Sequence, residues 1–137
     1  MPIYVGVYVA EGRAAAGASI WNEMIKIERS AFELAVKKGL KIAYGTDAGG
    51  YPWTENQAKE FTYMVRYGMT PMRAIRSATV VAAELLGVEN DLGGIEPGKL
   101  ADLIAVSRDP LEDIGELERV KFVMKAGEVV RDDAIVK

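Results

Sequence analysis

Apolar positions recur at three- and four-residue steps between residues 20 and 35: Ile20, Met24, Ile27, Ala31, Leu34 and Ala35. That spacing predicts a long helix with one buried stripe. Ser19 stands where an N-cap belongs. Lys37 and Lys38 fall in the last turn, where cations suit the helix dipole, and Gly39 fits the left-handed position beyond it. Upstream, residues 3–9 are β-branched and aromatic, which predicts a strand interrupted by Gly6. Residues 11–17, rich in Ala and Gly, predict a loop or a weak helix. Downstream, Leu40-Lys41-Ile42-Ala43-Tyr44 predicts a buried strand running into Gly45-Thr46-Asp47-Ala48-Gly49.

Two more helices follow. Thr54 and Gln57 form a capping-box pair before the first, with Ala58, Phe61, Met64 and Val65 as its inner face and Gly68 as its stop. Thr70-Pro71 opens the second, Thr as cap and Pro at the first helical position. Ile75, Ala78, Thr79, Ala82 and Leu85 make its inner face and Gly87 closes it. The character then changes. Gly93-Gly94-Ile95-Glu96-Pro97-Gly98 is dense in turn formers, Leu103-Ile104-Ala105-Val106 reads as a short strand, and residues 120–125 and 128–130 flank Ala126-Gly127 as a hairpin. The order predicts a βαβα unit over residues 1–90 with parallel strands, then a separate antiparallel β segment over residues 91–137. Two parallel strands leave unpaired edges that something must cover.

Composition narrows the function. The 137 residues suit one domain, half are hydrophobic, and the net charge is −3 with the two signs interspersed. That balance argues against nucleic acid or an anionic membrane as the main partner. No apolar run approaches the length of a membrane span, and the start lacks the features of a signal peptide, so a cytoplasmic location is the default expectation. The chain has no histidine and no cysteine. Serine triads and cysteine dyads lose their base, and a metal site loses its commonest ligands. The glycine-rich turns lack the GxGxxG and GxxxxGK[ST] spacings of phosphate-binding loops.

What remains is Asp47, displayed where a strand gives way to a glycine-rich turn. On the residues alone it is either a turn aspartate or a catalytic carboxylate. Glu11, Glu55, Glu60 and Asp91 are further candidates by residue type only, and an all-oxygen cluster would suit Mg²⁺ or Ca²⁺ better than Zn²⁺. Trp53, in the loop after Asp47, is a candidate exposed contact. Trp21, spaced with Met24 and Ile25, reads as core or interface packing.

Several motifs in order resemble a known family. Gly45-Thr46-Asp47-Ala48-Gly49 resembles the eighth-strand motif of the metal-dependent amidohydrolases. Asn56-Gln57-Ala58-Lys59-Glu60-Phe61, Gly68-Met69-Thr70-Pro71-Met72 and Ser77-Ala78-Thr79 resemble the following stretch of its imidazolonepropionase-like and prolidase-like branch. Gly94-Ile95-Glu96-Pro97-Gly98-Lys99-Leu100-Ala101-Asp102-Leu103 resembles its C-terminal signature, and Val123-Met124-Lys125-Ala126-Gly127 its closing hairpin.

The resemblance implies an α/β fold: the last two βα units of a (β/α)8 TIM barrel, then part of a composite β-sandwich. It implies hydrolysis of a C–N amide, cyclic amide or dipeptide bond by water held on a divalent metal such as zinc. Asp47 takes the place of the metal-binding, proton-shuttling aspartate, while the family's histidine ligands have no counterpart here. The expectation is therefore a C-terminal portion, inactive alone, that acts on a small molecule once the missing N-terminal barrel portion is supplied. The alternative is a non-enzymatic module that covers its open edges by homo-oligomerisation.

Overall fold

The computed structural model describes residues 2–133 and has helices packed about a small core, followed by a three-stranded sheet. Helices α1 (Ile3–Ala15) and α2 (Ile20–Lys37) pack against each other. They are followed by α3 (Lys59–Arg66), α4 (Pro71–Ala78) and α5 (Val80–Leu86). The sheet is β1 (Leu103–Ala105), β2 (Phe122–Lys125) and β3 (Glu128–Asp132), antiparallel in that order. A 3₁₀ helix, Ile114–Arg119, precedes β2 and packs on α3.

The largest departure from the sequence reading is α1, where a strand was expected over residues 3–9. Ile3, Tyr4, Val5, Val7 and Ala10 are buried, a set that takes in consecutive positions 3–5 and reaches Ala10, where strict alternation would leave Tyr4 and Ala10 outside. β-Propensity is weak evidence when tertiary contacts decide. Here they do. Pro2 has no N–H to satisfy, and the next two N–H groups, of Ile3 and Tyr4, donate to the two oxygens of Glu60 on α3, at 2.9 and 2.6 Å. A side chain distant in sequence thus caps the helix.

The second departure concerns α2. The helix forms where expected, but Ile20, Met24, Ile27 and Leu34 of the predicted stripe are exposed. Its inner line is Trp21, Ile25, Glu28, Phe32 and Val36, all half-buried and spaced by three or four residues. Ile25, Phe32 and Val36 pack on a core of Ile3, Val7, Met64, Tyr67, Met69 and Ala74. Ser19 occupies the cap position without a side-chain bond.

Residues 40–45 were expected to form a strand. Among the described residues they pair with no strand, and the Tyr44 N–H instead donates to the Ser77 carbonyl at 2.9 Å. Ile42 and Tyr44 still face the core, the alternation a strand would show. With α1 helical, no parallel neighbour stands among the described residues to complete a ladder. The expected pair of βα units is thus absent: among the described residues one such segment precedes the turn at Asp47.

Smaller corrections follow the same logic. The Thr54–Gln57 capping box does not form; α3 begins at Lys59, and Asn56 accepts from the Ala58 N–H at 3.0 Å. The third predicted helix is broken at Thr79, whose hydroxyl donates back to the Ile75 carbonyl, a bond known to bend helices. Ala74, Ser77 and Ala83 are its buried residues, while Thr79 and Leu85 are exposed. Thr70 and Pro71 act as expected, the Thr70 hydroxyl accepting from the Arg73 N–H at 3.3 Å.

The Ala126-Gly127 hairpin forms, with φ of 49° and 83°. Both central residues are left-handed, as a type I′ turn requires. Ala pays a steric cost there of about 1 kcal/mol. Ala126→Gly is expected to stabilise the protein by about 0.5–1 kcal/mol, read as a rise in Tm of a few degrees; an unchanged or lower Tm would show that the turn carries no such strain.

Candidate functional site

Asp47 stands at the head of a turn in which the Gly50 N–H donates to the Asp47 carbonyl at 3.0 Å. Its φ is 51°, a left-handed conformation that Asp and Asn tolerate better than other non-glycine residues. Gly50 then passes against α1 so closely that an added Cβ would lie 2.6 Å from a Val5 methyl. The turn is thereby clamped to α1. Asp47 is solvent-exposed at the rim of a cavity of about 230 Å³ between α1, α2 and the turn.

The other carboxylates named from sequence are elsewhere. Glu11 is exposed on α1, and Asp91 is exposed in the loop after α5. Glu55 accepts from Lys59 at 2.6 Å and from the Tyr4 hydroxyl at 2.8 Å. The hydrogen bonds from Lys59 and Tyr4 hold its carboxyl below the usual range. Glu60 is buried as the cap of α1. Burial pushes its carboxyl above the ordinary value, against the pull of the two N–H donors. Trp53 is 73% exposed and does not line the cavity.

The acid that does share the cavity with Asp47 is Glu28. Its signal was present in the sequence: a carboxylate in the middle of the line Trp21, Ile25, Phe32, Val36. Burial raises its carboxyl above the ordinary 4.5. A carboxyl so raised holds its proton more firmly in the folded state than in the unfolded one. Its contribution to stability is therefore full below pH 4.5 and is lost as pH rises through the folded value. Glu28→Gln is expected to shrink the fall in Tm between about pH 5 and about pH 8. An undiminished fall would show that Glu28 is as well solvated folded as unfolded.

Among the described residues no three of Asp, Glu, His or Cys converge as a metal site would require. A tight zinc site takes three or four protein ligands, so the residues here do not make one by themselves. No helix among the described residues is long and apolar enough to cross a membrane.

Comparison with known proteins places this arrangement. The model of the amidohydrolase family matches residues 9–130, and the chain belongs to that family. Ochratoxinase of Aspergillus niger is 40% identical over 111 residues, which is 77% of this chain and 22% of that protein. Imidazolonepropionase of Shouchella clausii is 37% identical over 71 residues, 50% of this chain and 16% of the enzyme. Among solved structures, a Xaa-Pro dipeptidase with methionine bound in its active site superposes with a TM-score of 0.83 at 44% identity, over 95% of this chain and 33% of that one. The crystal structure of A. niger ochratoxinase superposes with a TM-score of 0.76 at 30% identity, over 98% of this chain and 32% of that one. The architecture is thus a piece of an amidohydrolase fold, and the chain spans between about a sixth and a third of the length of these relatives. Members of the family are generally metal-dependent.

Proposed function

We propose that this chain supplies the closing part of an amidohydrolase (β/α)8 barrel, with residues 40–46 as its last strand and Asp47 as the catalytic aspartate. In the completed enzyme Asp47 would be one ligand of a divalent metal, zinc by resemblance, and would take a proton from the attacking water at a carboxylate oxygen. A carboxylate suits both tasks, as an oxygen ligand and as a base. The substrate would be a small molecule with an amide, cyclic amide or dipeptide C–N bond. Residues 91–137 would contribute strands to a second, sandwich-like unit.

The observation that carries this reading is the unpaired segment 40–46, whose alternate side chains are already in the core while its backbone finds no strand. An open edge of this kind is a template for the strands of a barrel. Mixing the chain with the remaining portion of the dipeptidase relative is expected to give a complex that hydrolyses dipeptides. Absence of both complex and activity would count against it.

A second reading has its own support. Ile20, Met24, Ile27 and Leu34 form an exposed apolar row on α2, the kind of surface that marks an interface. If this row joins two copies of the chain, Ile27→Glu would convert a dimer into a monomer in sedimentation. A wild-type monomer at high concentration would exclude it.

A further inference from the structure

The cavity beside Asp47 has a chemistry that the proposed hydrolysis does not explain. Its walls are Val5 and Val9 of α1 and Trp21 and Met24 of α2. The Arg13 guanidinium lies over the Trp21 ring, 4.5 Å from its centre. The cavity's charged groups are Glu28 and Asp47, and among the described residues no cation lines it. Glu28 differs from the other acids of α2. Glu23 pairs with Lys26 and Glu33 with Arg29, whereas Glu28 forms no hydrogen bond or ion pair with any described residue.

The fold makes room for this carboxylate. Glu28 lies against Gly6, where an added Cβ would fall 2.0 Å from Oε2. A glycine inside a helix costs about 1 kcal/mol relative to alanine, and here it leaves the space that the carboxylate occupies. Burial disfavours the ionised form and outweighs the opposing charge of the chain's N-terminus, which leaves the carboxyl of Glu28 raised. A cation arriving in the cavity would relieve that penalty. Two carboxylates are too few for a tight zinc site, and the apolar walls would be wasted on a bare ion. The volume, about 230 Å³, is below the usual range for drug-sized ligands and suits a group of amino-acid size.

We propose that this cavity is a binding subsite for a small primary amine bearing a short apolar group, with Glu28 holding the ammonium and Trp21, Met24, Val5 and Val9 enclosing the apolar part. If Asp47 marks the reacting end, as the reading above has it, the subsite would select amides or dipeptides with a free amino group and an apolar side chain. That link rests on the proposed function; the binding itself does not.

The test uses the 137-residue chain alone. In an NMR titration with 3-methylbutylamine, saturable shifts are expected at the Trp21 indole N–H and at the Gly6 and Gly50 amides. The neutral 3-methylbutanol has the same apolar group and is expected to bind about tenfold more weakly or worse, because it lacks the charge-assisted bond. Glu28→Gln should bring the amine down to the level of the alcohol. Gly6→Ala, whose methyl displaces the carboxylate, should do the same while leaving α1 helical. Equal binding of amine and alcohol, undiminished binding by Glu28→Gln, or no saturable shift would overturn the proposal. An intact amine response together with an Asp47 that proves irrelevant to hydrolysis would instead overturn only the proposed function.

Discussion

In the complex of this chain with the rest of a relative's barrel, Asp47→Asn is expected to lower kcat/KM about 100- to 10,000-fold. That is the range for losing a positioned proton-transfer group, before any loss of metal is added. Asparagine is the right replacement because of the backbone. The φ of 51° at position 47 is one that Asn adopts almost as readily as Asp, so the turn, its bond from Gly50 and its clamp on Val5 should survive. Alanine would confound the result by straining the turn. The Tm of the uncombined chain should be unchanged by Asp47→Asn, since Asp47 is exposed. A loss of activity under tenfold, with the fold intact, would remove Asp47 from the chemistry.

Glu60→Ala, on α3, is expected to be strongly destabilising, with its effect felt at the start of α1. The carboxylate is buried and receives two N–H groups from the start of α1, at 2.9 and 2.6 Å. Bonds to charged groups are worth about 1.5–3 kcal/mol each, and donors left buried add their own penalty. Removal should cost about 3 kcal/mol, or roughly 10 °C in Tm for a chain of this size. Amide exchange at Ile3 and Tyr4 should accelerate with it. Glu60→Gln keeps one acceptor and should cost less. Glu55→Ala serves as the control: its bonds to Lys59 and Tyr4 are only partly buried, so screening weakens them and their loss should cost less than that at Glu60. Equal, small losses at positions 55 and 60 would show that α1 needs no cap from α3.

Family and helical organisation were legible from residues 40 onward because the signals there are local. Thr70-Pro71 caps its own helix, Gly68 and Gly87 sit at left-handed helix ends with φ of 97° and 70°, and the hairpin at Ala126-Gly127 closes on itself. The larger failures were non-local. Residues 3–9 carry the side chains of a strand, and only the Glu60 carboxylate, 56 and 57 positions away, decides for a helix. The exposed row on α2 has the same periodicity as the inner line; which of the two faces the core depends on where α1 lies, and that is not written in α2. The 3₁₀ helix is too short for a periodic apolar pattern to announce it; Asp113 starts it, its side chain accepting from the Gly115 N–H at 2.9 Å. At the candidate site Asp47 could be found from its motif. Glu28 could have been found only by asking why a carboxylate interrupts an apolar line.

The most direct measurement is native mass spectrometry of the chain in the presence of zinc, alone and mixed with the remaining barrel portion of the dipeptidase relative. The expected result is a chain that carries no stoichiometric metal by itself and a one-to-one complex that does, with the metal lost or depleted in Asp47→Asn. A stoichiometric metal on the lone chain, or a complex whose metal content ignores the change at Asp47, would contradict the account.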